Sequence, residues 1–237
     1  LGATPILGAF ALAWARKRRW ESLEEKHLMA ALGEVDGTTS ATLKVHHFSD
    51  LKDLRGQIPK GHIGDLEISR LIMGGNLIGG WAHARDLLYV DKLVKAYHDD
   101  AKVFDTLRLA EQCGVNTLLT NPQLARVINL YWRRRGGQIQ FISDCGYFDG
   151  GIEKGVDLSV QAGASACYFH GGMADDLVKR GDLDAIARVL ERIRAAGQPA
   201  GIGAHDLRTV SACVEAGILP DFWVKTLHRT DYWSADK

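Results

Sequence analysis

The feature that most constrains the fold of this chain is a regular alternation of short apolar runs and long amphipathic stretches, which begins at Leu66 and repeats about every 25 to 30 residues. Each parallel strand needs a helical crossover to return the chain to the same edge of its sheet, so this alternation is typical of a parallel β/α fold. The sequence predicts strands at 66–76, 116–121, 138–145, 166–171, 199–205 and 221–227, and helices at 92–113, 122–135, 152–162, 182–196 and 207–215.

The number of predicted strands narrows the architecture. Six strands are predicted, and the sequence ends at Lys237, soon after the sixth. A complete (β/α)8 barrel typically has about 250 residues, whereas the barrel-like part of this chain begins only near residue 60. We therefore expect a (β/α)8 TIM-barrel type of fold that is truncated after the sixth strand. An open doubly wound sheet is the alternative, and it would place the site where the strand order reverses.

Composition and charge exclude several classes of function. The chain has 29 basic and 29 acidic residues, so no overall field attracts nucleic acid, and nucleic acid is not an expected partner. No G-x-G-x-x-G or G-x-x-x-x-G-K-[ST] phosphate loop occurs. The four cysteines show no C-x-x-C spacing, which favours reduced thiols in a reducing compartment. A small-molecule substrate is the expected partner, and the sequence predicts no oligomeric state.

Residues 1–60 differ from the rest of the chain. Residues 1–15 are small and apolar, and Arg16 to Arg19 form a basic flank directly after them. This order is the one expected at the cytoplasmic end of a membrane anchor, although 15 residues are fewer than the roughly 20 that span a bilayer. An interfacial or buried helix is the alternative. The sequence thus predicts a possible membrane anchor at 1–19, a linker at 20–60 and a partial barrel at 61–237, with the protein on the cytoplasmic side.

Polar side chains follow the predicted strands at the point where each strand ends. Asn121, Asp144, His170, His205 and the pair Lys225 and His228 each close or follow a strand. Since the strand C-termini and the loops after them form the active site in β/α barrels, this distribution favours an enzyme over a binding scaffold.

Several segments resemble aldo/keto reductases. Residues 64–76 are similar to the opening hairpin and first strand of that family, and residues 109–120, with Gly114-Val115-Asn116, are similar to its first helix and second strand. Tyr168-Phe169-His170-Gly171 resembles the fourth strand, which ends in the catalytic histidine, and residues 200–205 resemble the fifth. The resemblance covers residues 60–228 and implies a barrel.

The same resemblance implies a reaction and a cofactor. The family reduces carbonyl compounds with NADP or NAD, and it uses Asp, Tyr, Lys and His together. Alignment on Gly114 places Leu119 at the Asp position, Leu124 near the Tyr position and Asp144 near the Lys position, so only His170 matches. The expected function is an aldo/keto reductase-like oxidoreductase that acts on a small carbonyl or sugar-like substrate with an incomplete tetrad, in which His170 polarises the carbonyl group.

Other chemistry is open to the same polar residues. Asp144, His205 and His228 are a plausible ligand set for a divalent metal. Lys225 lies in an apolar run, where desolvation would lower the pKa of its amine and permit a Schiff base, unless it forms a structural ion pair with Asp144 or Asp231. A metal-dependent or Schiff-base-dependent lyase or isomerase is therefore the alternative, and an inactive ligand-binding barrel is another.

Two loops contain candidate substrate-binding or cofactor-binding residues. The loop after the first strand carries Asn76, Trp81, His83 and Arg85, among which Trp81 offers a flat ring face and Arg85 can hold an anion. Trp233 follows His228 in a second loop. Two tryptophan-bearing loops favour a planar or cyclic substrate; the first loop alternatively only closes the mouth of the barrel.

Overall fold

The computed structural model describes residues 56–82, 89–146 and 151–227, together with Ala9 and Trp14. One of the two compact units of the chain extends from Asp53 to Lys237, and the strands and helices from residue 60 onward belong to it. Apart from Ala9 and Trp14, the predicted anchor at 1–19 lies outside the described residues, as does the predicted linker up to residue 55. Among the residues that are described, no helix has both the length and the apolar character needed to cross a bilayer.

The described elements alternate along the chain as the sequence predicts. The strands are β1 (Lys60–Ile63), β2 (Leu66–Ser69), β3 (Met73–Gly74), β4 (Thr117–Thr120), β5 (Gln140–Asp144), β6 (Ala166–Phe169), β7 (Ala200–Ala204) and β8 (Phe222–Lys225). The helices are α1 (Asn76–Gly79), α2 (Val90–Tyr97), α3 (Asp100–Gln112), α4 (Ala125–Arg135), α5 (Gly151–Gln161), α6 (Gly171–Arg180), α7 (Leu183–Ala195) and α8 (Leu207–Glu215), and a 3₁₀ turn at Pro122–Leu124 precedes α4.

The sheet has the strand order of a barrel. β3 to β8 lie side by side in sequence order, and each pairs in parallel with the next. A doubly wound sheet would reverse its order at one point, and these described strands show no reversal. The prediction of an α/β fold of the TIM-barrel type is confirmed, since the six strands form a curled half-barrel.

Two apolar layers lie on opposite faces of this sheet. The outer layer lies between the strands and the helices and includes the fully buried side chains of Leu107, Tyr131, Phe141, Phe169 and Ile193. The inner layer joins the hairpin of β1 and β2 to the concave face of the sheet; its members are Ile63, Leu66, Ile68, Leu119, Ile142, Ala166, Tyr168, Phe222 and Val224. Alternate residues of one strand, such as Phe141 and Ile142, therefore enter different layers.

Two predicted elements are each divided in the structure. The predicted strand at 66–76 is β2 followed by a separate β3, because β2 pairs antiparallel with β1 through a tight turn in which Gly64 has a positive φ of 57°. The predicted helix at 92–113 is interrupted at Asp99, which is extended and accepts a hydrogen bond from the Lys102 amide. This carboxylate caps a new helix, and the predicted helix is therefore two separate helices, α2 and α3.

The sequence prediction missed helix α6, which positions the candidate site. α6 begins at Gly171 directly after β6, and its first two residues are glycines, which are poor helix formers and concealed the pattern. Its start lies very close to β7: a Cβ added at Gly203 would come within 2.6 Å of the Gly171 amide nitrogen. Glycine at position 203 thus permits the approach of α6 to the sheet.

Candidate functional site

Asp144, His170 and His205 are brought together by the parallel sheet. Asp144 is the last residue of β5, and His170 and His205 directly follow β6 and β7. Because these strands are neighbours and run in the same direction, their C-termini meet at one edge. The His170 and His205 ring centroids are 6.5 Å apart, and Asp144 Oδ2 lies 3.7 Å from His170 Nε2. The structure thus assembles three predicted site residues at the expected edge.

His170 is held as a neutral imidazole by the start of α6. It is the N-cap of that helix, and its Nδ1 accepts a hydrogen bond of 3.1 Å from the Gly172 amide. A neutral imidazole whose Nδ1 is an acceptor carries its proton on Nε2. Burial, and to a smaller extent charge repulsion from His205, lower the pKa of His170 to about 4 against the attraction of Asp175. His170 is therefore an uncharged donor at neutral pH.

The pKa of Asp144 is shifted in the opposite direction from that of His170. Burial raises the pKa of its carboxyl group to about 6, and a hydrogen bond from the Gly146 amide to Oδ1, at 2.8 Å, offsets part of this rise. Its Oδ2 is too far from His170 Nε2 for a hydrogen bond, so a substrate atom can contact both groups. At neutral pH the site contains a carboxylate of unusually high basicity beside a neutral N–H donor.

A second pair at this edge joins His205 to Asp175, a residue of α6 that the sequence analysis did not identify. His205 Nδ1 lies 2.9 Å from Asp175 Oδ2, and the His205 amide donates to the same oxygen. Burial alone would raise the pKa of Asp175, but hydrogen bonds from His205, Thr209 and two backbone amides bring it below its ordinary value. The only sequence signal was a carboxylate five residues after His170, on a helix whose glycine-rich start concealed it.

Lys225 ends β8, and its ammonium group is hydrogen-bonded to backbone. Nζ donates to the carbonyl oxygen of His205 at 2.7 Å and to that of Thr226 at 2.6 Å. Neither of these acceptors belongs to the expected partner Asp144. A Schiff base requires the amine nitrogen to attack a carbonyl carbon, whereas here Nζ is engaged with two backbone carbonyl oxygens. The Schiff-base role of Lys225 stays a prediction.

The remaining predicted residues are divided between local roles and undescribed segments. Asn121 accepts a hydrogen bond from the Gln123 amide and so caps the 3₁₀ turn, while Asn76 begins α1. Trp81 lines a cavity of about 340 Å³ beside α3 and α4, which also contains Arg126. Four predicted site residues lie outside the described residues: His83, Arg85, His228 and Trp233.

The predicted metal ligands lie only partly within the described residues. Within 56–82, 89–146 and 151–227, no group of three or more His, Cys, Asp or Glu side chains is arranged to hold a metal ion. The predicted set of Asp144, His205 and His228 includes a residue outside these ranges, so the metal site stays a prediction.

A cavity of about 640 Å³ lies at the opposite end of the sheet. It is lined by residues that precede β4 and β5 or begin β5, including Asn116, Gln138 and Gln140, and by the hairpin residues Lys60 and Glu67. Hydrogen bonds around this cavity join the sheet to the hairpin; for example, the Gln140 side chain donates to the Glu67 carbonyl oxygen. In β/α barrels this end contributes to stability, so we assign the chemistry to the C-terminal edge rather than to this cavity.

The positions that correspond to the reductase tetrad contain no phenol suited to donate a proton. Leu119 packs in the inner layer, and Leu124 packs against the outer one. The nearby Tyr168 is buried, and both its burial and the charge of Asp144 raise its pKa well above the ordinary value. A reductase of that type lowers the pKa of its tyrosine, so Tyr168 is not a substitute.

The similarity of this chain to known proteins is confined to solved structures of low sequence identity. No protein-family profile and no curated protein matches it. Similar solved structures include a protein named as a deoxyribose-phosphate aldolase from Coccidioides immitis, with 14% identity over 44% of this chain and 42% of that one and a TM-score of 0.35. A protein named as an aldolase has 15% identity over 52% of this chain and 60% of its own, with a TM-score of 0.40.

A third similar structure is an HpcH/HpaI aldolase/citrate lyase family protein from Burkholderia cenocepacia J2315, with 17% identity over 58% of this chain and 72% of its own and a TM-score of 0.33. The chain thus spans less than two thirds of the first two structures. These three are named as aldolases or lyase relatives, not as reductases. The predicted oxidoreductase function is therefore wrong, and the lyase alternative agrees better with these names. Of the predicted aldo/keto reductase relationship, only the barrel-type fold is supported, by the strand order of the sheet.

Proposed function

We propose that this chain is a lyase or isomerase that transfers a proton at the carbon next to the carbonyl group of a small compound. The observation that carries the proposal is the pair formed by Asp144 and His170, in which the pKa of the carboxyl is raised to about 6 and that of the imidazole is lowered to about 4. Two titratable groups whose environments move their pKa values in opposite directions have separate acid and base roles.

The two groups fit the two requirements of enolisation. The substrate carbonyl oxygen accepts a hydrogen bond from His170 Nε2, and the Asp144 carboxylate removes the proton from the adjacent carbon. The electron pair of the broken C–H bond moves to the carbonyl oxygen, where the Nε2–H stabilises the negative charge. A neutral imidazole suits this step, since it polarises the carbonyl group without repelling other cations at the edge.

Burial makes Asp144 an effective base near neutral pH. A carboxylate with an ordinary pKa is almost always ionised but weakly basic, whereas one with a pKa of about 6 combines ionisation with a larger driving force for proton removal. The Gly146 amide holds Oδ1, which leaves Oδ2 as the oxygen nearest to His170. Enolisation is common to lyases that cleave beside a carbonyl group and to isomerases that move the carbonyl group.

Exchange of carbon-bound protons in D₂O tests this proposal. The full chain is incubated with acetone, acetaldehyde, pyruvate and hydroxyacetone, and loss of the proton signal beside each carbonyl group is followed by NMR. We expect exchange of at least one compound above the solvent rate, and a loss of about 100-fold or more in Asp144→Asn and His170→Gln. Asp176→Asn, an exposed aspartate of α6, is the matched control.

Two outcomes overturn the proposal. One is that the wild-type chain exchanges none of the four compounds above the solvent rate, which also favours an inactive binding barrel. The other is exchange that continues undiminished in both variants, because the proton transfer would then depend on other groups.

A further inference from the structure

His205 is a second imidazole at the same edge. Its Nδ1 faces a carboxylate oxygen, whereas His170 Nδ1 faces an amide N–H. Asp175 is only 7% exposed, and it accepts hydrogen bonds from the His205 and Asp206 amides and the Thr209 hydroxyl, at 3.0, 3.4 and 2.6 Å. Its Oδ2 also lies 2.9 Å from His205 Nδ1. A carboxylate that only accepts hydrogen bonds is stabilised in its ionised form. The proton between it and His205 therefore lies on His205 Nδ1.

This arrangement gives the Nε2 atoms of the two rings different hydrogen-bonding roles. In neutral His205 the proton is on Nδ1, so Nε2 is an acceptor that takes a proton as a base. In His170 the Gly172 amide occupies Nδ1, so Nε2 is the donor. The pair thus offers one base and one donor from two residues of the same type, and the difference comes only from what contacts each Nδ1.

We infer that His205, oriented by Asp175, is a second acid–base residue of this site, and that the substrates are β-hydroxycarbonyl compounds whose carbon–carbon bond the site forms and cleaves. The inference rests on the proposed enolisation by Asp144 and His170. The 6.5 Å separation of the two rings suits a substrate with one oxygen on the carbonyl carbon and another two carbons away. An isomerase that moves a carbonyl group to the adjacent carbon needs no acid or base at an oxygen two carbons away, because no bond to that oxygen or to its carbon changes.

The proton balance requires the second group. In the synthetic direction the Asp144 carboxylate removes the proton beside the first carbonyl group, and the electron pair moves onto the oxygen held by His170. The resulting enolate carbon attacks the carbonyl carbon of a second molecule, so a carbon–carbon bond forms and that oxygen becomes an alkoxide. Protonated His205 supplies the proton to this alkoxide. Solvent then removes the proton from Asp144 and returns one to His205, and cleavage is the same sequence reversed.

Asp175 is a positioning residue in this scheme because it acts through His205. Replacing it by Asn keeps one oxygen acceptor, for the Asp206 amide and the Thr209 hydroxyl, but places an amide nitrogen, which is a donor, opposite both His205 Nδ1 and the His205 amide. The imidazole would then lose the tautomer in which Nε2 is an acceptor. The Thr209 hydroxyl is fully buried beside the same carboxylate and fixes it from the other side.

The test compares two reactions in the same samples of the full chain. Exchange of acetone and acetaldehyde protons in D₂O reports enolisation, and cleavage of diacetone alcohol and of the aldol dimer of acetaldehyde reports the whole reaction. We expect the ratio of cleavage to exchange to fall about 100-fold in His205→Ala and in Asp175→Asn, and added imidazole to restore part of the cleavage in His205→Ala. The downfield proton resonance of His205 Nδ1 is expected to disappear in Asp175→Asn. Asp176→Asn is expected to retain the wild-type ratio.

Failure of this inference is distinguishable from failure of the proposed function. A wild-type chain that exchanges protons but cleaves neither β-hydroxycarbonyl compound overturns the inference and leaves the enolisation proposal intact. An unchanged ratio in His205→Ala, or a loss of cleavage that imidazole does not restore, also overturns it. Absence of exchange in the wild-type chain overturns both. His205→Ala keeps the test decisive where Asp175→Asn fails to fold.

Discussion

Replacing Asp144 by Asn is expected to make the protein more stable at alkaline pH while it abolishes proton transfer. Asp144 is buried at the C-terminal edge of β5, with its side chain 16% exposed, and its burial disfavours the ionised form. Asn has nearly the same shape, retains an oxygen that accepts from the Gly146 amide and has no charge to desolvate. The wild-type chain is therefore less stable than this variant at alkaline pH, because it keeps an ionised carboxylate buried in its site.

The magnitude follows from linkage between protonation and folding. Raising the pKa of a carboxyl from 3.8 to about 6 costs the folded, ionised form about 3 kcal/mol. Because the folded pKa is above the unfolded one, the wild-type stability is complete below about pH 4 and is lost as the pH rises through about 6. The stability difference between Asp144→Asn and wild type is therefore near zero at about pH 4 and reaches about 3 kcal/mol at about pH 8.

His170 affects stability in the opposite direction over the same interval. Its folded pKa is lowered from 6.5 to about 4, so the stability it contributes is present above 6.5 and is lost as the pH falls toward 4. The wild-type profile alone would combine these two opposed effects. Comparison of Asp144→Asn with wild type removes the His170 contribution, which both proteins share.

Urea unfolding monitored by circular dichroism at several pH values between about 4 and 8 measures this difference. Asp176→Asn, on the exposed side of α6, is expected to change stability by less than about 0.5 kcal/mol at every pH. A difference for Asp144→Asn that does not change with pH, or a variant less stable than wild type at about pH 8, would refute the reasoning from burial.

Three further predictions concern the same edge of the sheet. The wild-type rate of proton exchange is expected to rise with pH through about 6 and then level off, because burial raises the pKa of the Asp144 base; a rate that does not change across pH 6 contradicts this role. Gly146→Ala places a Cβ 2.3 Å from the His170 Cβ and so displaces this side chain; we expect the rate of proton exchange to fall about 10-fold or more. Gly74→Ala, with open space around the added Cβ, is the control. Borohydride added with acetaldehyde is expected to leave Lys225 unmodified, because its Nζ donates to two backbone carbonyl oxygens. A reduced adduct on Lys225, detected by mass spectrometry, would instead support the Schiff-base route.

The candidate site was only partly visible in the sequence. Asp144, His170 and His205 could be predicted, because each ends or follows an apolar strand and parallel strands place their C-termini together. Asp175 could not be predicted, since nothing in a single helix indicates that one of its carboxylates lies against the residue after the next strand. The resemblance to reductases predicted the barrel but the wrong reaction, because it rested on strand patterns that many barrels share.

The sequence by itself determined the alternation of strands and helices and the edge at which polar residues collect, because hydrophobic periodicity and chain direction are local properties. Only the tertiary structure decided what those residues do. The environment of each Nδ1 makes His170 a donor and His205 an acceptor, and burial makes Asp144 a stronger base than an exposed aspartate. Tautomer and pKa depend on neighbours from other strands and helices, and the packing of α6 against β7 brings those neighbours together.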